Sequence, residues 1–171
     1  EMNLAPGAKN VTPAIEQSSS DFHVGFLRGL FDADGSVQGD QQKGVSVRLA
    51  SSKLETLTAT QRMLARLGII SRIFRDRRMA GPRRLPDGHG GEKEYWCNAD
   101  HELVISGSNL RRFAERVGFE DTDKFARLAS ALSQYKREPN RERFLARVVA
   151  LDAIGEADVF VCEIPGINAF D

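Results

Sequence analysis

Cysteine is scarce. Cys97 and Cys162 are the only two in 171 residues, which argues against a disulfide-framed secreted scaffold and makes a reducing, cytoplasmic setting the default. No apolar run approaches the ~18 residues of a membrane span, and no charged-then-apolar leader opens the chain, so no membrane partner is expected. Net charge is also missing, at zero with 24 basic and 24 acidic residues, which gives nucleic-acid binding no general help. No repeat of 20–50 residues is evident. What is there, 28% charged and 41% hydrophobic residues, is the composition of a globular domain with a real core.

The zero hides an asymmetry. Between Ser36 and Arg84 eleven Lys/Arg stand against three Asp/Glu, leaving thirteen basic and twenty-one acidic residues elsewhere. A basic middle beside an acidic remainder predicts a directed electrostatic surface, with ordinary solvated faces as the plain alternative. Both ends read as cut. No methionine precedes Glu1, and "GINAFD" follows directly on a strand-like run, so a piece of a larger polypeptide is expected.

Residues 1–20 read as a Pro/Ser/Asn-rich lead-in. A helix follows over about 21–34, closed by Gly35. "SVQGDQQKGVSVRLAS" predicts two strands around a polar turn, with Val45, Val47 and Leu49 alternating against Ser46, Arg48 and Ala50. Ser52 and Glu55 have the spacing of a capping box for a helix carrying Leu54, Leu57, Leu64 and Leu67, stopped by Gly68. "IISRIFRDRRM" reads as a strand, residues 81–91 as a Gly/Pro-rich loop, and "EYWCNADHELVIS" as one further strand. Ser108 is expected to cap a helix with Leu110, Phe113 and Val117, and a second helix carries Phe125, Leu128 and Leu132. A last helix over about 141–154 and a strand at "ADVFVCEI" complete the pattern. Paired strands alternating with helices predict an α+β fold, its antiparallel sheet covered by helices on one face and free on the other.

The stretch "HVGFLRGLFDADGSV" (23–37) breaks two local rules. Gly25, Gly29 and Ala33 recur at i, i+4 and i+8, a stripe almost without side chains, although glycine inside a helix costs ~1 kcal/mol relative to alanine. A second helix packed along that stripe is the natural reason. Asp32 and Asp34 sit at the helix C-terminus, where the macrodipole disfavours carboxylates by ~0.3–1 kcal/mol. Two such helices side by side would deliver acids to one point, which a divalent cation would relieve. An EF-hand loop beginning at "DADGSV" fails, because Val37 stands where glycine is needed and Lys43 where the bidentate glutamate belongs.

"FLRGLFDADGSV" resembles the signature of LAGLIDADG (dodecapeptide, DOD-type) homing endonucleases, particularly those carried inside inteins. A half-domain of that family has the order αββαββα, which residues 21–136 match, followed by the block "ELVISGSNLRRFAERVGFEDTDKFARL". The ending "ADVFVCEIPGINAFD" resembles the start of the C-terminal splicing (Hint) region of inteins, especially those hosted in ribonucleotide reductases, with Val161 where aspartate is usual. Residues 137–171 are expected to be part of that region. Splicing by this chain alone is not expected, since the terminal His-Asn pair is missing.

The resemblance implies a second endonuclease half whose partners are double-stranded DNA, the other LAGLIDADG half and the host protein. The chemistry would be Mg2+-assisted phosphodiester hydrolysis. Asp34, beside the Gly35 backbone, matches the family's metal ligand, and Asp32 reads as a brace. Lys124 fills the place of the active-site lysine after the last strand. Lys9, in "KNVTP", fills that of the other half's lysine. The sheet would read DNA through Ser46, Arg48, Arg72, Arg75, Arg77 and Arg78, with Arg83 and Arg84 in the loop. Six arginines within Arg72–Arg84 exceed what a solvated strand edge explains. His89, Cys97 and His101 match no zinc spacing, and Tyr95 and Trp96 read as packing residues. Two other readings stay open, a non-cleaving DNA- or RNA-binding module and a decayed insert in a splicing intein.

Overall fold

The 15-residue helix α2 (Ser20–Asp34) starts because Ser19, extended at its own φ and ψ, accepts a hydrogen bond from Phe22 N, with Asp21 favourably placed in the first turn. It stops at Gly35 for a steric reason. The backbone turns directly into β1 (Gly35–Asp40), and a Cβ at this position would lie 2.5 Å from the Phe31 carbonyl oxygen. The computed structural model describes residues 10–42, 44–134, 147–153 and 155–158.

Before α2 lies a short helix, α1 (Pro13–Glu16), within the segment read as lead-in, and its Ile15 is fully buried in the core. After β1 come β2 (Gly44–Ser51), α3 (Leu54–Arg66), β3 (Arg72–Arg78), β4 (Gly81–Pro86), β5 (Glu92–Cys97), β6 (Asp100–Ser106), α4 (Asn109–Arg116) and α5 (Thr122–Ser133). The main sheet is four-stranded and antiparallel, in the order β1-β2-β6-β3. Cross-strand partners share a face. Val37, Val47 and Ile105 lie in one row and Leu49, Leu103 and Ile73 in the next. These side chains meet Leu27 and Phe31 of α2, Leu57, Met63 and Leu64 of α3, Phe113 of α4 and Leu128 of α5 in one core. Among the described residues no helix of the core covers the opposite rows, with Ser36, Arg48, Val104 and Arg72, which form an open face.

Several local expectations give way. Ser52 does not cap α3. Lys53 occupies the N-cap without a side-chain bond, and Ser51 Oγ accepts from Lys53 N at 3.1 Å, because strand β2 runs on to Ser51. Ser108 likewise makes no capping bond. The adjacent Asn109 turns away to accept from Ile70 N at 2.9 Å and ties α4 to the segment before β3. Residues 81–86 are strand rather than loop, paired with β5 as a separate two-stranded ribbon. Asp87 tightens the turn of that ribbon by accepting from His89 N and Gly91 N. "EYWCNADHELVIS" is therefore two strands, split at Asn98 and Ala99 and assigned to different sheets. Trp96 is 74% exposed on the ribbon, Tyr95 is exposed beside it, and neither packs in the core. Phe125 is also exposed. Residues 147–153 form no helix and 155–158 no strand, while the remainder of both expected C-terminal elements lies outside the described residues.

Candidate functional site

The two acids at the end of α2 have different surroundings. Asp32 turns toward the loop before α5, where its carboxylate accepts from Glu120 N (3.1 and 3.2 Å to its two oxygens) and Asp121 N (3.2 Å). Asp121 in turn caps α5 by accepting from Lys124 N at 2.9 Å. This chain of bonds brings the Lys124 side chain under the C-terminus of α2. Its ammonium donates to the carbonyls of Phe31, at 3.3 Å, and Asp32. A cation at a helix C-terminus is favourable by ~0.3–1 kcal/mol, so part of the charge conflict at "DADG" is resolved within this chain. Gly35 makes that arrangement possible, since any Cβ there would crowd the Phe31 oxygen that Lys124 reaches.

Asp34 is exposed at the last position of α2 and lines a small recess of about 70 Å³ together with Ser36, Arg48, Arg77, Arg78 and Glu102. The recess opens on the sheet face that carries no helices, so the acid stands at the rim of an arginine-bearing surface. Arg48 lies over Ser46, donating from Nε to its Oγ at 2.8 Å, which explains why Ser46 is buried on an open face. Arg48 and Arg77 both pair with Glu102. Arg72 and Arg77 each lie 5.2 Å from the centre of the Phe74 ring, in cation–π range. Strand β3 is irregular between Phe74 and Arg78, with Asp76 at φ +48°, a conformation that aspartate tolerates better than most residues. Asp76 N donates to His101 Nδ1 at 3.0 Å across the irregularity. Arg75 and Arg78 are exposed on the same strand.

Arg83 and Arg84 lie in a strand rather than in a loop, and Arg83 reaches an acid of the main sheet. They belong to strand β4 of the ribbon, where Arg83 pairs with Asp100 at 2.8 Å and donates to Met79 O, while Arg84 faces Glu92 at 4.0 Å. Lys9 lies outside the described residues, as do Val161 and Cys162. Gly25, Gly29 and Ala33 are exposed along α2, and a Cβ built at Gly25 or Gly29 meets nothing within 4 Å. Among the described residues no group of three or more His, Cys, Asp or Glu could hold a metal ion. Asp34 with the Gly35 backbone could supply at most part of a divalent cation's ligand set. Glu102 and Phe74 organise the arginines without any signal in the linear sequence. Strand alternation turns Glu102 outward, but only pairing sets it among the arginines.

Residues 21–118 match the family model of the LAGLIDADG-like domain. A curated relative is the ribonucleoside-diphosphate reductase NrdEB subunit alpha of Bacillus subtilis, 29% identical over 85% of this chain and 14% of its own length. A DNA polymerase of Thermococcus hydrothermalis is 29% identical over 74% of this chain and 7% of its own length. The chain thus spans about a seventh or less of these relatives. Mesophilic variants of the homing endonuclease I-DmoI superpose with a TM-score of 0.43 at 18% identity, covering 68% of this chain and 51% of that one.

Proposed function

The chain belongs to the LAGLIDADG-like domain family, and from that premise we propose that it is one half of an intein-borne homing endonuclease that hydrolyses double-stranded DNA at a long asymmetric site. The observation that carries the reading is the position of Asp34, an exposed carboxylate at the rim of a sheet face bearing Arg48, Arg72, Arg77 and Arg78. Guanidinium groups on an open face suit phosphates and base edges, and an acid at its border stands where a backbone phosphate would pass.

Each half supplies one carboxylate. A divalent cation such as Mg2+, which the family generally uses, supplies activation of water and stabilisation of the leaving 3′ oxygen when bound. Asp34, with the Gly35 backbone, would hold one side of it, and the matching aspartate of a second half the other. Lys124 has three N–H donors, and two of them are directed to the α2 carbonyls. The third can order a water molecule or offset charge on the phosphorus. Lys9 is proposed for the same service to the other half. The exposed stripe at Gly25, Gly29 and Ala33 is the proposed seam along which that half packs.

The intein setting is supported by the relatives. A reductase subunit and a DNA polymerase share no activity, yet each has a short segment similar to this chain. A mobile insert explains that pattern, with a ribonucleotide reductase as the proposed cytoplasmic host and residues 137–171 as part of the splicing region.

The test is Asp34→Asn in the polypeptide carrying both halves. Magnesium-dependent nicking should collapse by at least a hundredfold, equivalent to ~2.7 kcal/mol of barrier, while gel-shift affinity for the same duplex holds. Normal cleavage by the variant would remove Asp34 from the chemistry. A wild-type protein that binds but never nicks would support the non-cleaving module or the decayed insert instead.

A further inference from the structure

A surface meant only to hold phosphates has no use for an acid at its centre. Glu102 is nevertheless there, on the interior strand β6 of the open face, with its side chain 13% exposed. One of its oxygens, Oε2, faces two arginines that come from different strands, accepting a hydrogen bond from Arg48 Nη1 of β2 at 3.2 Å and forming an ion pair with Arg77 Nε of β3 at 3.4 Å. Each guanidinium has a second restraint. Arg48 also donates to Ser46 Oγ at 2.8 Å, and Arg77 lies over the Phe74 ring at 5.2 Å.

A lone exposed arginine samples many rotamers and meets phosphate as a mobile charge. Two arginines tied to one carboxylate are fixed in direction before any ligand arrives, and the fork that recognises guanine O6 and N7 depends on direction. Neutralising one positive charge also lowers the indiscriminate attraction to phosphate. We propose that Glu102 is a positioning residue that sets Arg48 and Arg77 as a pair of base readers, with guanine-bearing base pairs of the major groove as their ligand. Because both guanidinium groups lie against one oxygen, they stand within about two base steps of ~3.4 Å of each other. The guanines they read are therefore adjacent or one pair apart.

The proposal rests on the DNA-binding reading above, and the experiment separates the two. The wild-type chain and Glu102→Gln, each in the polypeptide with both halves, are taken through selection from a randomised duplex library, with total binding followed against salt. Wild type is expected to enrich a pair of guanines at that spacing. Glu102→Gln should bind the unselected library several-fold more tightly, with a salt slope steeper by ~0.9, and should lose at least tenfold of the guanine enrichment. An unchanged selected motif in the variant overturns the role of Glu102 while leaving DNA binding intact. Failure of wild type to bind any duplex overturns the DNA reading, and this inference with it. A DNA-free measurement stands apart from both. Side-chain Nε–H relaxation should show Arg48 and Arg77 restrained in wild type and loosened in Glu102→Gln. Freely mobile arginines in wild type would sink the proposal even if the variant failed to fold.

Discussion

The Phe31 carbonyl oxygen is crowded by design. It accepts from the Gly35 backbone N–H and from the Lys124 ammonium, and it lies 2.5 Å from where a Cβ on residue 35 would be. Gly35 is therefore required by close approach rather than by an unusual φ, which is extended at −79° with ψ 161°. Gly35→Ala should push the carbonyl and Lys124 apart, at an overpacking cost of ~1–3 kcal/mol. Thermal unfolding reads that loss. Lys124→Met should cost less, ~0.3–1 kcal/mol of helix-end charge, yet reduce nicking more than Gly35→Ala reduces stability. Equal stability of Gly35→Ala and wild type would show that the α2–β1 junction has slack that this geometry denies. The sequence shows Gly35 as the residue that closes the helix and Lys124 through the family resemblance. It could not supply the contact between Lys124 and Phe31, which closes over 93 positions of chain.

Among elements, α1 is the one whose role is least visible in the sequence. Ile15 reaches the core from it, and the Ile15 carbonyl accepts from the buried His23 Nε2 at 3.0 Å. Both Glu16 oxygens pair with the Arg62 guanidinium, and Arg66 donates to the carbonyls of Glu16 and Ser18. These bonds strap residues 15–18 to α3. The Arg62 hydrogen bond, aided by nearby positive charge, holds the Glu16 carboxyl below its ordinary value of 4.5 against the opposing effect of burial. A depressed carboxyl contributes its stability in full above that ordinary value and loses it as pH falls through the lower folded value. Glu16→Gln should therefore be less stable than wild type by up to ~1 kcal/mol at pH 7. The two proteins should converge once the pH is acidic enough to protonate Glu16 in the folded state. Denaturant midpoints at neutral and acidic pH test the sign, and a gap that widens on acidification would contradict it. Residues 1–20 read as a lead-in, because a four-residue helix has too little periodicity to mark Ile15 as core.

For the whole molecule, the exposed stripe on α2 makes a contrast that the single chain and the paired halves should show differently. Nothing within 4 Å opposes a Cβ at Gly29, so Gly29→Val should leave the unfolding of this chain by itself within ~0.5 kcal/mol of wild type. In the two-half polypeptide the same branched side chain would enter a helix–helix contact and cost ~1–3 kcal/mol or more. Light scattering of the separate chain across a concentration series, and nicking by the joined halves, should both fall. A Gly29→Val protein that nicks normally would show that the stripe is no seam.

From residue 21 to Gly68 the order of elements, though not the cap of α3, is legible in the sequence alone. Helical spacing, strand alternation and stop glycines act over a few residues there, and Gly68 at φ +70° closes α3 through bonds from Gly68 N to Ala65 O and from Ile69 N to Leu64 O. Strand partnership, by contrast, is set by long-range contacts. Alternation says that residues 92–106 are extended, but not that they split between a ribbon and the centre of the sheet, because the first half pairs with the neighbouring strand β4 whereas the second inserts between β2 and β3. The same holds for charge. Six arginines crowd residues 72–84, yet Arg77 and Arg72 flank Phe74 on the open face, whereas Arg83 and Arg84 of the ribbon are engaged by Asp100 of β6 and Glu92 of β5. Composition counts charges, and only folding brings each one to the acid or ring that fixes its direction.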